Sequence, residues 1–406
     1  RIILDGAFNH VGRGFYQFNH VLENGASSPY LDWFHLNPNH LEDQDGVVAF
    51  PGREHREKLG SVGGTYDVLG YRAWADLPPL PKLNTDTEAV RELLLEVSQY
   101  WVEQGVDGWR LDVPQEINDP EFWREFRRRV RAVNPEAYLV GEIWTHAADW
   151  LEGDRFDAVM NYPFSRNLLG FLGGEALETD FTPGGFPLTR MNGTELARDI
   201  ATHLAGYRPE TNLAQLNLLG SHDTPRLLTL LSADRGRAAL STLFLFLLPG
   251  APSIYYGDEV GMAGGEDPGC RGGFPWDSDG WDKQLLESFR SAIALRKGHP
   301  ALRRGAYRAV SSGEDHVVVA RHKDGDLVLG AFNRSEGERK VTFSLEELPE
   351  EFRGASLRGE LLLTGTEAVP ALSGAPRPVT FGAEDITLFL PPLSGSIYVA
   401  GDPGAA

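Results

Sequence analysis

Short apolar runs alternate with amphipathic helical stretches through roughly the first three hundred residues of the chain. This alternation is typical of βα units and of a parallel sheet. Six runs have the length and composition of buried strands: residues 1–7, 106–113, 137–143, 157–162, 214–221 and 252–257. A closed (β/α) barrel needs eight such strands. We therefore expect an α/β protein with a (β/α)8 TIM-type barrel, whose first two strands would lie upstream of Arg1.

The helices between these strands carry start signals. Thr85–Glu88 has the spacing of a capping box, and Asp119–Pro120 puts a capping carboxylate before a proline suited to the first helical position. Apolar residues recur along one face of the first of these helices and are expected to pack on the barrel: Val90, Leu94, Val97 and Trp101. The apolar stretch 238–256 is interrupted by prolines, so it predicts a buried helix and strand rather than a membrane span.

The βα rhythm breaks twice, at residues 11–84 and in a Gly/Pro-rich stretch around 173–193. Loops this long are usually functional or form small subdomains, so we expect 11–84 to be an inserted subdomain on the active-site face. After about residue 303 short alternating strands appear, and Asp324-Gly325 is a strong hairpin signal. The expected organisation is a catalytic barrel over 1–302 and a C-terminal antiparallel β-sandwich over 303–406.

Composition excludes several classes of partner. The formal charge of -20 disfavours binding to nucleic acid or to an anionic membrane surface, and an uncharged substrate fits better. The single cysteine, Cys270, excludes an intramolecular disulfide framework. No phosphate-binding loop, HExxH or serine-elbow motif is present. No signal-peptide pattern opens the chain and we expect a cytoplasmic protein, but a sequence that starts at Arg1 inside a strand pattern leaves secretion open.

Two strand ends carry carboxylates in contrasting surroundings. Arg110 and Asp112 point the same way on a strand of period two, and an adjacent arginine keeps a carboxylate ionised, as a nucleophile requires. Glu142 ends the next strand among apolar neighbours, which favour the protonated form that a general acid needs. Taken singly, a buried ion pair at Asp112 and a solvated glutamate at Glu142 are equally good explanations.

Two further strand ends strengthen the catalytic interpretation. His222 and Asp223 close a later strand, and Asp5 to His10 closes the first. Polar groups gathered at several carboxyl-terminal strand ends of a barrel indicate an active site. One ionised and one protonated carboxyl group are the minimum equipment for cleaving a glycosidic bond, and Asp223 could stabilise the cationic transition state.

The same segments resemble, in the expected order, the α-amylase superfamily of glycoside hydrolases, family 13. The four matching segments are Asp5–His10, Gly108–Asp112, Gly141–Trp144 and Ser221–Asp223. Leu80–Asn84 resembles the extra region that marks the neopullulanase, cyclomaltodextrinase and maltogenic amylase branch, which usually carries Met at its first position.

The resemblance implies a role for each matched residue. Asp112 would be the nucleophile, Glu142 the general acid/base and Asp223 the stabiliser of the distorted sugar ring. Arg110 would orient Asp112, and the same sugar would be bound by His10 and His222. Two further residues are candidate substrate contacts: Trp144 and Glu116.

The implied activity is retaining hydrolysis of α-1,4 bonds, with α-1,6 bonds as an open option, in maltooligosaccharides, cyclodextrins, pullulan or starch. An α-glucanotransferase and an inactive glucan-binding or interaction module are the alternatives. After Asp112 that branch typically reads Val-Ala-Asn-Glu, whereas Val113–Glu116 reads Val-Pro-Gln-Glu, which leaves substrate preference open. No cofactor is required. Calcium is an option near Asn9, with no metal ligand assigned. A homodimer is expected if the branch's N-terminal domain is present.

Overall fold

The computed structural model describes residues 1–42, 46–365, 370–372 and 374–400. The chain divides into two compact units, each described by itself below. The first unit comprises Arg1–Ile143 and Asp149–Val159, and the second comprises Trp144–Ala148 and Met160–Ala406. None of the helices in the described ranges combines the length and apolar character that crossing a bilayer requires.

The first unit is built on a four-stranded parallel sheet. Its strands pair in chain order: β1 (Ile3–Gly6), β2 (Gly108–Leu111), β3 (Tyr138–Gly141) and β4 (Ala158–Val159). The register aligns Gly6 with Leu111 and Leu111 with Gly141. The residues that follow β2 and β3, Asp112 and Glu142, therefore emerge at one edge of the sheet.

Six helices accompany this sheet: α1 (Tyr16–Asn24), α2 (Pro38–Glu42), α3 (Arg53–Lys58), α4 (Thr65–Leu69), α5 (Glu88–Glu103) and α6 (Pro120–Val133). The start of α6 is confirmed, because the Asp119 carboxylate accepts hydrogen bonds from the backbone N–H groups of Glu121 and Phe122. The short helices α1 to α4 all fall within the predicted insertion 11–84, three residues of which lie outside the described ranges.

The predicted capping box of α5 is wrong, and its predicted buried face is only partly right. The helix begins at Glu88 with Thr87 at the N-cap position, and among the described residues no side-chain hydrogen bond caps its first turn. The Thr87 hydroxyl donates to the Asp32 carbonyl at 2.6 Å. Val90 and Leu94 are buried as predicted, but Val97 is half-buried and Trp101 is 44 % exposed. The buried face also includes Leu95, Ser98 and Val102.

In its described residues the second unit contains two further parallel strands and seven α-helices. The strands β5 (Leu216–Asn217) and β6 (Ala251–Pro252) pair with each other, and Met160 forms a parallel bridge with Leu216. Each of the six predicted runs thus contains strand. The helices are α7 (Tyr162–Leu172), α8 (Gly193–Ala205), α9 (Pro209–Ala214), α10 (Leu227–Leu230), α11 (Arg235–Leu247), α12 (Lys283–Gly298) and α13 (Pro300–Arg304).

After α13 the described chain consists of β-strands and two short 3₁₀ helices, Leu345–Glu347 and Glu350–Phe352. The strands are β7 (Ala306–Ser312), β8 (His316–Lys323), β9 (Asp326–Asn333), β10 (Arg339–Ser344), β11 (Leu357–Thr364), β12 (Ala371–Leu372), β13 (Thr380–Phe381), β14 (Asp385–Leu390) and β15 (Ser394–Ala400). They form two antiparallel sheets, ordered β12-β11-β15-β9-β8-β7 and β10-β14-β13, around a shared apolar core. This is the predicted sandwich, and its predicted end at 406 lies outside the described residues.

The hairpin between β8 and β9 is confirmed. Asp324 and Gly325 both have positive φ, 48° and 82°, as a two-residue hairpin turn requires. The predicted domain boundary at 303 stays a prediction, since the second unit holds residues from both sides of it.

The C-terminal end of α11 is closed by two arginines, one fully buried and one half-buried. Arg321 of β8 donates to the carbonyls of Leu247, Gly305 and Ala306, and it has no exposed surface. Arg296 of α12 donates to the carbonyls of three residues around the same end: Phe246, Leu248 and Gly250. Helix ends leave carbonyl groups unsatisfied, and these guanidinium groups supply the missing donors.

Candidate active site

The first unit gathers three carboxylates around one guanidinium group. Nη1 of Arg110 lies 2.8 Å from Oδ1 of Asp5 and 2.7 Å from Oδ1 of Asp112. Nη2 of the same side chain lies 3.0 Å from Oε2 of Glu142. Burial opposes the charged form of Arg110, but the three carboxylates outweigh it and raise the pKa of the guanidinium. The arginine therefore stays cationic. Its Nη1 holds Asp112, the predicted nucleophile, and its Nη2 holds Glu142, the predicted acid.

The sheet explains how these groups meet. Arg110 and Asp112 are two residues apart along β2, so they share one side of the strand. Asp5 is paired with Arg110 in the β1–β2 register, and Glu142 follows the β3 residue that pairs with Leu111. Short-range strand geometry, rather than a long flexible loop, thus positions all four side chains.

Glu142 is buried, at 4 % exposure, and its surroundings are more polar than its neighbours along the chain suggest. The backbone N–H of Val113 donates to Oε2 at 3.2 Å, the oxygen that also contacts Arg110. The backbone N–H of Glu142 donates to the Leu111 carbonyl at 2.9 Å. Both its main chain and its carboxylate are therefore tied to β2 and to the turn that follows it.

His10 lies beside these carboxylates. Its ring stacks on Trp74, with 5.0 Å between ring centroids and 17° between planes. Burial lowers the pKa of His10, and the charges of Asp112 and Glu116 partly oppose that shift. A histidine that is neutral near pH 7 has one ring nitrogen to donate and one to accept a hydrogen bond, which suits a sugar hydroxyl.

Glu116 lies on the turn after Asp112 and pairs with a lysine that the sequence analysis gave no role. Nζ of Lys82 lies 2.9 Å from Oε2 of Glu116 and donates to its carbonyl at 3.2 Å. Lys82 also forms a β-bridge with His10. Its position inside the Leu80–Asn84 segment was the signal that could have identified it.

In the second unit, Asp223 is held by a different set of contacts. Its Oδ1 lies 3.0 Å from Nη2 of Arg271, and its Oδ2 lies 3.1 Å from Nε2 of His222. Arg271 also donates to the His222 carbonyl and pairs with Asp267 at 2.9 Å. The backbone N–H of Asp223 donates to the Ser221 hydroxyl. His222 and Asp223 are thus brought together as predicted, and Arg271 is an additional partner.

Trp144, also in the second unit, lies in a stack of aromatic rings. Its ring is parallel to that of Tyr162, with 3.5 Å between centroids, and Phe186 lies on a nearly parallel plane at 6.4 Å. The Tyr162 hydroxyl is 3.0 Å from the Ser221 hydroxyl. Tyr162 therefore connects Trp144 with the segment that carries Asp223, a connection that the sequence did not reveal.

Asn9 is the position where the family resemblance allows a calcium ion. The Asn9 Oδ1 is buried without a hydrogen-bond partner among the described residues. Calcium takes six to eight oxygen ligands, which include backbone and amide carbonyl oxygens as well as carboxylates. Within the described ranges, no three His, Cys, Asp or Glu side chains form a metal-binding cluster. A calcium ion at Asn9 stays a prediction, and none of the steps proposed below uses a metal.

The amino-acid sequence of this chain is similar to those of known proteins. The alpha amylase catalytic-domain family matches residues 1–279. A cyclomaltodextrinase from a Bacillus species is 40 % identical over 336 residues, covering 82 % of this chain and 54 % of the relative. Neopullulanase 2 of Thermoactinomyces vulgaris is 40 % identical over 351 residues, covering 86 % and 54 %.

A solved structure shows the same fold. The debranching enzyme of Nostoc punctiforme superposes with a TM-score of 0.84 at 36 % identity, covering 98 % of this chain and 76 % of that one. The chain spans about half the length of the curated relatives it matches. With its parallel strands, its C-terminal β sheets and a family match over 279 residues, the chain belongs to the alpha-amylase family, among relatives named cyclomaltodextrinase and neopullulanase.

Proposed function

We propose that the protein containing this chain hydrolyses α-glucosidic bonds of maltooligosaccharides, cyclodextrins, pullulan or starch with retention of configuration. The observation that carries the proposal is the bridging of Asp112 and Glu142 by the single guanidinium of Arg110. Retaining glycosidases need two carboxyl groups close to each other, because one attacks the sugar and the other protonates the leaving oxygen.

In the first step the Asp112 carboxylate attacks the anomeric carbon. The bond from that carbon to the glycosidic oxygen breaks, and Glu142 gives its proton to the departing oxygen. In the second step Glu142 takes a proton from water while the water oxygen attacks the same carbon. The bond to Asp112 breaks, which restores the free carboxylate and returns the proton to Glu142.

Other residues bind the substrate in this proposal. Asp223 stabilises the positive charge that develops on the sugar ring, and Arg271 and His222 orient its carboxylate. His10 and His222 bind hydroxyl groups of the same sugar. The aromatic face of Trp144 supports a neighbouring sugar, and Glu116 contacts the substrate from the turn after Asp112. The roles rest on the family resemblance and on the contacts within each unit.

Five further expectations belong to the same proposal. The substrate range follows from the names of the relatives, which include cyclomaltodextrinase and neopullulanase. A complete eight-stranded barrel and a subdomain formed by 11–84 beside the active site are expected. A cytoplasmic location and a homodimer through an N-terminal domain stay predictions.

The decisive experiment compares the full-length protein with its Asp112→Asn variant on β-cyclodextrin, pullulan and starch. The variant should lose at least about 10³-fold in kcat, because the amide cannot act as the nucleophile. Asp107→Asn is the matched control, since Asp107 accepts a hydrogen bond from the Ile2 N–H at the other end of β2. Proton NMR should show the α-anomer as first product.

Three results would change the proposal. A folded parent that cleaves none of these substrates would remove the hydrolase assignment. A β-anomer as first product would exclude retention. Products longer than the donor, formed at high donor concentration, would indicate transfer to sugar in place of hydrolysis.

A further inference from the structure

Val113, the residue after Asp112, has an unusual backbone conformation. Its φ is 34° and its ψ is 53°, in the left-handed region. A β-branched side chain is strained there, and the following Pro114 further disfavours any conformation but an extended one. Such strain persists only where the surrounding structure imposes it, and it concentrates at functional sites. Val113 therefore raises the questions of what imposes the conformation and what it achieves.

The conformation directs the Val113 N–H at Glu142. The hydrogen bond to Oε2 is 3.2 Å long, and Nη2 of Arg110 approaches the same oxygen at 3.0 Å. Two donors that converge on one carboxylate oxygen restrict the rotation of the side chain. An extended Val113, the conformation favoured before proline, would redirect the chain that follows it, so this hydrogen bond and the present position of the turn could not both be kept.

A buried tryptophan, Trp123, binds the turn 113–116 through two backbone carbonyls. Nε1 of Trp123 donates to the Pro114 carbonyl at 3.2 Å and to the Ile117 carbonyl at 3.0 Å, and its side chain is 1 % exposed. On the other side, the Lys82 ammonium binds the carbonyl and the carboxylate of Glu116. The turn 113–116 is thus clamped at both ends.

The turn also packs against the strand that delivers Glu142. A Cβ atom on Gly141 would lie 3.4 Å from the Pro114 ring and 2.9 Å from the Phe156 ring. The proline therefore sits directly on the residue before the proposed acid. The contact therefore depends on Pro114, which stands where the branch that this chain resembles typically has alanine.

We propose that the turn 113–116, clamped by Trp123, is a positioning device that sets the Glu142 carboxyl group for proton transfer to the leaving oxygen. This inference rests on the proposed function. Asp112 has its own ion pair with Arg110, whereas the Trp123 indole N–H binds the carbonyls of the turn. Loosening the clamp should therefore impair proton donation much more than nucleophilic attack.

Two substrates with different leaving groups separate these effects. When a maltooligosaccharide is cleaved, the leaving group is a sugar whose oxygen needs a proton from Glu142. When α-maltosyl fluoride is cleaved, the leaving group is fluoride, which departs as an anion without a proton. For Trp123→Phe in the full-length enzyme, kcat/KM on maltohexaose should fall roughly 10- to 100-fold, because small misplacements of a catalytic group are costly. On α-maltosyl fluoride it should fall less than about threefold.

Trp109→Phe is the matched control. Trp109 is also buried in the first unit and also donates its indole N–H to a carbonyl, that of Ser98, at 3.1 Å. Its loss should change both substrates by the same factor. If Trp123→Phe does not fold, Pro114→Gly loosens the same turn by removing a smaller buried side chain and should show the same selective loss.

The outcomes are distinguishable. Equal losses on the two substrates, or no loss on either, in a folded Trp123→Phe or Pro114→Gly variant would overturn the positioning role while leaving the hydrolase assignment intact. A parent enzyme inactive on both substrates would instead overturn the proposed function on which this role rests. A selective loss on maltohexaose, absent from Trp109→Phe, supports the clamp.

Discussion

Two arginines hold the proposed catalytic carboxylates, and they do so in different surroundings. The side chain of Arg110, in the first unit, is 10 % exposed and contacts three acids, one of them the buried Glu142. The side chain of Arg271, in the second unit, is 45 % exposed and contacts Asp223 and Asp267. Charge interactions are strong away from water and screened within it. Arg110 is therefore part of a fixed framework, whereas Arg271 is a solvated and adjustable partner.

The strongest test of the difference between Arg110 and Arg271 is Arg110→Met, which leaves the buried Glu142 without the cation beside it. The free energy of unfolding should fall by about 3–5 kcal/mol, as for other broken buried pairs. The value of kcat/KM should fall at least about 10²-fold, since the cation that fixes both carboxylates is lost. Urea denaturation and steady-state kinetics measure the two effects.

The control for Arg110→Met is Arg128→Met. Arg128, whose side chain is 68 % exposed, pairs with Glu125 on the surface of α6 in the same unit. It should cost about 1 kcal/mol or less and leave kinetics unchanged. A loss for Arg110→Met no larger than this would show that burial does not distinguish the two kinds of arginine.

Two histidines, His10 and His203, show how burial changes a pKa with and without a compensating charge nearby. His10 has carboxylates beside it, but burial, with a smaller contribution from His146, lowers the pKa of His203 to about 4. The unfolded chain binds this proton below about pH 6.5 and the native protein only below about pH 4, so stability falls as pH decreases between these values. The loss attributable to His203 should reach about 3 kcal/mol at pH 4.

His203→Leu tests this expectation, because Nε2 of His203 has no hydrogen-bond partner among the described residues to be lost. Urea denaturation at pH 7, 5.5 and 4 should show a flatter pH dependence than in the parent. His55→Leu, in the short surface helix α3, serves as the control and should leave the parent's pH dependence in place. Parallel curves for the parent and His203→Leu would contradict the prediction.

The smallest effect is expected from Arg271→Met. Its exposed ion pair should contribute less than about 1 kcal/mol to stability. Activity should fall about tenfold or less, because Asp223 keeps its contact with His222 while losing the guanidinium. Raising sodium chloride from 0.05 to 1 M, roughly from weak to strong screening, should lower kcat/KM in the parent and have little effect in the variant.

Arg290→Met, which breaks the surface pair with Glu287, is the reference for a solvated arginine away from Asp223. Losses from Arg271→Met as large as those from Arg110→Met would show that the two arginines play the same part.

The sequence predicted what depends on local pattern. All six strand regions, the Asp119 cap of α6 and the Asp324-Gly325 turn follow from residues within a few positions of one another. The meeting of Arg110, Asp112 and Glu142 was also predictable, because parallel strands bring their carboxyl ends to one edge. The predicted sheet alone is therefore enough to position these three side chains.

The sequence could not reveal contacts between distant segments. Lys82 reaches Glu116 across 34 positions, and Tyr162 reaches Ser221 across 59. The surroundings of Glu142 were misjudged for the same reason, because its chain neighbours are apolar while its partners in space are Arg110 and the Val113 amide. The capping box at Thr85–Glu88 was wrong because the helix begins later than expected, at Glu88, with Thr87 at the N-cap position and its hydroxyl bound to the distant Asp32 carbonyl.

The arginine caps of α11 bear on where this protein could be divided. Arg321 belongs to the β sandwich, yet its guanidinium completes the end of a helix that precedes it by more than seventy residues. Phe244 of that helix stacks on Phe332 of β9 at 4.5 Å. A boundary drawn where helices give way to strands would cut through one continuous interior. Gene fusions or deletions that break the chain near residue 305 would therefore expose a helix end and an aromatic surface together, and exchange of this β region between relatives would have to carry its matching helix along.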